Sequence, residues 1–147
     1  MINPLQTLYQ KCNVGTNAAK YAELADFPSL IDVEITNACN FSCLFCPSGL
    51  MVFERPTGLM KEEVWKALVD QCKPHGTALR IIGWGEGTLH PKIVDFISYA
   101  TKAGLLSHLN TNASKLTYSL ACDLVDAGLS SIKMSFQGIN RETYAEM

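Results

Sequence analysis

Three of the chain's six cysteines fall within eight residues, as Cys39-Asn-Phe-Ser-Cys43-Leu-Phe-Cys46. Soft thiolates at that spacing select zinc or an iron–sulfur cluster. Structural zinc normally closes its shell with four protein ligands, yet the next candidates, Cys72 and His75, lie beyond a predicted helix. A [4Fe–4S] cluster held by three cysteines leaves one iron open to a substrate or cofactor, whereas an electron-carrying ferredoxin uses four. Free cysteines also cluster in cores, because they are among the most buried residues. Asn40, Ser42, Pro47 and Gly49 instead give this stretch the composition of a loop. From the residues alone, an electron carrier with a further thiolate and a zinc-stabilised interaction module stay open. Cys12, Cys72 and Cys122 are assigned no role, the last two as packing residues of predicted helices.

A second feature is Gly83-Trp-Gly-Glu-Gly-Thr-Leu-His-Pro91. Glycines at a strand end let a ligand approach the backbone, and Glu86 among them favours a cationic partner. A dinucleotide fingerprint fails here, because its last glycine position holds Thr88 and Glu86 would repel a pyrophosphate. The alternative is a glycine turn with no ligand. Two later strands end in Asn110-Thr-Asn112 and Ser135-Phe-Gln137-Gly138, polar groups suited to a ribose or a carboxylate, or else to turns and caps. Lys133 shares the face of Ser135 by strand alternation, placed to meet a carboxylate or to stay solvated.

These loops need elements to position them. Ile31, Val33 and Ile35 alternate with Asp32, Glu34 and Thr36, which reads as a strand. Val64, Trp65, Leu68, Val69 and Cys72 recur at helical spacing, closed by Pro74 and Gly76. A strand over Ala78–Ile82 and a helix through Ile93, Val94, Phe96, Ile97 and Ala100 follow, with Gly104 as a left-handed cap. Leu105–Leu109 reads as a third strand, and Leu116, Leu120, Leu124 and Val125 mark a third helix stopped at Gly128. Ile132, Met134 and Phe136 alternate as a fourth strand, after which Asn140 caps a last helix. Strand and helix in alternation, with long crossovers, predict a parallel sheet with helices outside it. The fold class is therefore α/β, a partial TIM-like barrel.

The chain of 147 residues is 48% hydrophobic and 18% charged, which excludes a disordered composition. Its net charge of −2 supplies no field for a polyphosphate, so nucleic acid is disfavoured as a partner. The stretch from Ile35 to Phe53 is uncharged, but Thr36, Asn37, Asn40, Ser42 and Pro47 exclude it as a membrane span. The opening residues lack the basic-then-apolar pattern of an export signal, and a disulfide framework does not suit this chain, so the expected location is the cytoplasm. Residues 1–28 are read as an N-terminal extension, with Leu5, Leu8 and Tyr9 packing on the barrel bottom, and residues 29–147 as the core domain.

At these residues the sequence resembles the radical S-adenosylmethionine superfamily. The resemblance rests on Cys39, Cys43, Phe45 and Cys46, on Glu34-Ile-Thr-Asn37 before them and on Pro47-Ser-Gly49 after. Gly85 and Glu86 match the second glycine and the glutamate of the family's Gly-Gly-Glu-Pro, while Trp84 and Gly87 replace its first glycine and its proline. Arg55-Pro-Thr-Gly-Leu-Met60 resembles the branch that modifies peptides or builds peptide-derived cofactors. The likeness runs from Leu30 to Met147 and implies about four of the six strand–helix units of the family's barrel, truncated at the C-terminus. It further implies a [4Fe–4S] cluster on Cys39, Cys43 and Cys46, whose open iron takes the amino and carboxylate groups of S-adenosylmethionine. Phe45, Gly85, Glu86, Asn112, Ser135 and Gln137 would line the cofactor, and His90 would be structural. Reductive cleavage would release methionine and a 5′-deoxyadenosyl radical that abstracts hydrogen from a peptide or small molecule. No catalytic residue beyond the cofactor ligands is implied, and the electron would come from a reductant such as flavodoxin or ferredoxin.

Overall fold

A computed structural model describes residue 6, residues 26–50 and residues 54–145. The expectations for Leu5, Leu8, Tyr9 and Cys12 lie outside the described residues. Four strands, β1 (Leu30–Val33), β2 (Ala78–Ile81), β3 (Ser107–Thr111) and β4 (Ser131–Met134), alternate with helices α1 (Glu62–Cys72), α2 (Ile93–Lys102), α3 (Tyr118–Asp126) and α4 (Arg141–Ala145). The strands lie in the order β1-β2-β3-β4, each parallel to the next. This stepwise winding is what strand–helix–strand crossovers of one hand produce, and it carries every strand-to-helix loop to the same end of the sheet.

One face of the sheet is apolar and covered by helices. Val33, Leu79, Ile81 and Leu109 meet Trp65 and Val69 of α1, Phe96 and Ile97 of α2, and Leu124 of α3. Trp65 and Phe96 stack with ring centroids 4.9 Å apart, and the indole Nε1–H donates to the Phe96 carbonyl at 2.9 Å. A buried indole keeps its donor satisfied in this way. Helix ends follow local chemistry: Thr117 Oγ1 accepts from Leu120 N, Asn140 Oδ1 accepts from Thr143 N, and Gly104 takes the left-handed φ of 81° that ends α2.

Several boundaries differ from the hydropathy reading, among them β2, which ends at Ile81 instead of Ile82, and β3, which runs on to Thr111 past Leu109. β1 stops at Val33 because Ile35 O accepts from Met60 N at 2.7 Å and Thr36 bridges antiparallel to Leu59, so a returning segment takes over those hydrogen bonds. β3 begins two residues later than the apolar run from Leu105 suggested. Leu105 is buried, but in the connection, where its N–H returns to Ala100 O at 3.0 Å. β4 spans Ser131–Met134 instead of reaching Phe136, which is 68% exposed. Val64 and Val125, placed on buried helical faces by spacing, are also exposed.

The other face of the sheet is polar. Asp32, Arg80, His108 and Ser131 lie in register across all four strands. Arg80 donates through two nitrogens to both carboxylate oxygens of Asp32, each at 2.7 Å. His108 is buried between Ser131 and Asn110, and burial chiefly holds its pKa below the ordinary 6.5, with Arg80 and Lys133 pushing the same way against Asp32 and Asn110.

Two outcomes are expected. Trp65→Ala removes the centre of the core and should lower unfolding free energy by about 3–5 kcal/mol in urea titrations; a loss below about 1 kcal/mol would mean this stack does not organise the core. For His108, the unfolded state takes up its proton first as pH falls. Stability should therefore be fully present above 6.5 and decline as pH drops from 6.5 toward the lowered folded value. His108→Gln should flatten the stability profile in that window, and an unchanged profile would contradict the assignment.

Candidate active site

The loop after β1 is pinned at its base before the first cysteine. Thr36 Oγ1 donates to Gly58 O at 2.9 Å and accepts from Ala38 N at 3.1 Å. Asn37 clasps the same returning segment, giving Nδ2 to Pro56 O at 3.0 Å and taking Gly58 N on Oδ1 at 2.7 Å. Arg55 pairs with Glu34 at 2.7 Å, and Glu34 also accepts from Trp84 N, which joins this strap to the loop after β2. Glu34-Ile-Thr-Asn37 and Arg55 thus act as the anchorage of the cysteine loop. Within that loop, Cys46 N donates to Cys43 O at 3.1 Å and Leu50 N to Cys46 O at 2.9 Å, giving it a turning path.

A cavity of about 250 Å³ opens at this end of the sheet. Cys39, Cys43, Phe45 and Cys46 line it from the first loop, and Gly85 and Glu86 from the second. Asn112 reaches it from just past the end of β3, and Ser135 and Gln137 from the segment that follows β4. All nine residues singled out in the sequence therefore meet at one place. Trp84, Asn110, Thr111 and Tyr144 join them without having been assigned a site role. Thr111 and Asn110 sit inside a segment already noted as polar, whereas Tyr144 lies on α4 edge-on to Phe41, a contact that no motif announces.

Cys39, Cys43, Cys46, Cys72 and Cys122 are free thiols. Burial, and then the neighbouring Cys39 and Cys46, raise the pKa of Cys43. A thiol held back from ionising by burial and by two neighbouring thiols is a donor whose charge a bound cationic centre would relieve. Among the described residues no three Cys, His, Asp or Glu side chains converge on a single ion. Cys39, Cys43 and Cys46 nevertheless line one cavity, and three soft thiolates on a short loop are donors of the kind an iron–sulfur cluster takes, each on its own iron. Cys72 is buried in α1 with its thiol pushed up by burial alone, as a packing residue.

Glu86 is only 3% exposed. Its Oε1 accepts from Thr88 N at 3.0 Å, Thr88 Oγ1 at 2.6 Å and Thr111 Oγ1 at 2.7 Å, while Oε2 accepts from Asn112 N at 2.7 Å. A buried carboxylate is tolerable when hydrogen bonds replace its water. These four make Glu86 a brace between the loop after β2 and the end of β3, with Oε2 the less occupied oxygen on the cavity wall. Gly85 allows the close approach behind it. A Cβ there would lie 2.0 Å from Thr36 O, and Glu86 N donates to Ala38 O at 2.7 Å.

Asn112 extends the brace to the cysteines. Its Oδ1 accepts from Ser114 N and Oγ, and its Nδ2 donates to Asn40 Oδ1 at 3.1 Å and lies 4.0 Å from Cys39 Sγ. Asn40 Nδ2 in turn donates to Ser114 Oγ at 2.7 Å. His90 is structural, its Nδ1 accepting from Lys92 N at 3.1 Å and its Nε2 lying 3.0 Å from Met60 O, with the ring over Phe96. No helix of the described residues is long and apolar enough to cross a membrane.

Comparison with known proteins agrees with this geometry. Over 121 residues the chain is 31% identical to an AdoMet-dependent heme synthase of Methanosarcina barkeri, covering 82% of this chain and 34% of that protein. It is 30% identical over 117 residues to a PqqA peptide cyclase of Rhodopseudomonas palustris, covering 80% and 31%. The chain thus spans about a third of the length of the curated relatives it matches. Among solved structures, BtrN in complex with AdoMet and 2-DOIA superposes with a TM-score of 0.69 at 24% identity, covering 84% of this chain and 53% of that one. Streptococcus suis SuiB bound to S-adenosylmethionine gives 0.71 at 21% identity, covering all of this chain and 34% of that one. Both share the fold, of which this sheet is a partial core. The family model described as the Radical SAM superfamily matches residues 33–147, and the chain belongs to that superfamily.

Proposed function

We propose that this chain is the cluster-bearing and cofactor-binding part of an enzyme that reductively cleaves S-adenosylmethionine, and that the enzyme acts in peptide or cofactor maturation. The observation that carries the reading is the meeting of three free thiols with the polar ends of all the strands around one cavity. When bound, the cluster would supply one electron to the sulfonium, giving methionine and a 5′-deoxyadenosyl radical for hydrogen abstraction.

Cys39, Cys43 and Cys46 hold the cluster in this reading. Glu86 offers Oε2 to the ammonium of the cofactor while its remaining bonds keep the wall in place. Asn112 holds the cysteine loop against β3 and sets the N–H environment of Cys39. Phe45, Ser135 and Gln137 provide the cavity's aromatic and polar wall. A peptide substrate is favoured because relatives are named as PqqA peptide cyclases and because SuiB, of similar fold, is solved bound to its precursor peptide SuiA. Electrons would come from a flavodoxin or ferredoxin, and the cytoplasm is the proposed location.

Reconstitution of the full chain with iron and sulfide under anaerobic conditions tests the ligand set. Cys39→Ala, Cys43→Ala and Cys46→Ala should each abolish cluster loading by iron and sulfide content, whereas Cys72→Ala and Cys122→Ala should retain it. A full cluster in Cys43→Ala would show that the ligands are misplaced. Glu86→Gln sets an amide against several donors and should cost about 1–3 kcal/mol of stability. It should also weaken S-adenosylmethionine binding by about tenfold at unchanged iron content, as loss of a charge-assisted hydrogen bond would. Unaltered affinity would remove Glu86 from the cofactor site.

A further inference from the structure

Below the strand ends, the polar face of the sheet carries a hydrogen-bonded chain that the cluster reading does not use. His108 Nε2 lies 2.8 Å from Asn110 Oδ1, and His108 Nδ1 lies 2.5 Å from Ser131 Oγ. An amide oxygen has no proton to give, so Nε2 carries the hydrogen, and in the neutral ring Nδ1 accepts from the Ser131 hydroxyl. Asn110 is thereby held with Oδ1 turned to His108 and its NH₂ turned away. Among the described residues that NH₂ has no hydrogen-bond partner, and Asn110 lines the cavity shared with the cysteines.

Lys133 stands beside it. It is the registered partner of Asn110 on β4, on the face of Ser135, which also lines the cavity. Its ammonium is exposed and makes no ion pair among the described residues. The other cations of this face are already paired, Arg80 with Asp32 and Arg55 with Glu34. The face therefore offers one uncommitted positive charge next to one oriented N–H donor. That pairing suits a carboxylate, whose two coplanar oxygens can take the ammonium and the amide N–H together.

We propose that Asn110, on the cavity wall, and Lys133, its registered partner on β4, bind a carboxylate of the substrate, with His108 and Ser131 as the positioning residues that aim the Asn110 amide. The inference rests on the proposed use of the cavity and adds a substrate class to it.

Glutarate and its uncharged counterpart glutaramide, titrated calorimetrically onto the full chain, are the test. Glutarate should bind, and glutaramide should bind about tenfold more weakly. Lys133→Met and Asn110→Leu should each cost about tenfold in glutarate affinity, with Lys133→Arg retaining most of it. His108→Phe should lower glutarate affinity and move the Asn110 side-chain amide resonance, and His108→Gln, which can still donate to Oδ1, should restore both. Equal binding of the two probes, no binding of glutarate, or an unaffected Lys133→Met would overturn the proposal. So would weakened S-adenosylmethionine binding in cluster-loaded Lys133→Met, which would give the pair to the cofactor's own carboxylate. Cys43→Ala, lacking the cluster, should still bind glutarate, so failure of the cluster assignment and failure of this one are separate results.

Discussion

A buried carboxylate at the mouth of a parallel sheet has to be satisfied by something, and at Glu86 the donors come from both sides of a strand junction. Thr88 belongs to the same loop, but Thr111 and Asn112 belong to the end of β3. Leaving one such buried donor or acceptor unpaired costs about 1–3 kcal/mol, so the arrangement is held as a unit. Once Asn112 is fixed by its backbone N–H, its side chain is in place to grip Asn40 and approach Cys39. On the other side, Gly85 brings the same loop against Thr36 and Ala38. One carboxylate thereby sets the separation between the cysteine loop and the strand ends around the cavity.

This explains why the chemistry lies on irregular backbone. The apolar face, with Trp65 stacked on Phe96, orders the helices and the sheet. Stepwise parallel winding then delivers the loops to one end, where polar groups are free to be selected for binding. Core and site are thus built by different forces acting on alternate residues of the same strands. Leu109 packs on helices, whereas His108 and Asn110 on either side of it face the polar side.

Much of this was legible in the sequence, because local patterns decide it. Alternation gave the faces of β1, helical spacing located α1 and α2, and the cysteine, glycine and strand-end motifs supplied the residues that line the cavity. Legibility failed where a distant segment competes for backbone hydrogen bonds, as at Ile35 and Thr36, and where an apolar residue is buried in a connection, as at Leu105. Glu86 was visible as a cation-seeking acid, but its bracing role was not, since its partners Thr111 and Asn112 lie 25 and 26 positions away. The pairing of Asn110 with Lys133 likewise exists only once the register of β3 and β4 is known.

The central claim is that the three thiols hold a cluster with an iron open to S-adenosylmethionine. Electron paramagnetic resonance of the anaerobically reconstituted, reduced chain, recorded with and without S-adenosylmethionine, tests it most directly. The account predicts a reduced-cluster signal whose shape changes when the cofactor is added. A signal that the cofactor leaves unchanged, or a chain that retains zinc and gives no such signal, would contradict it.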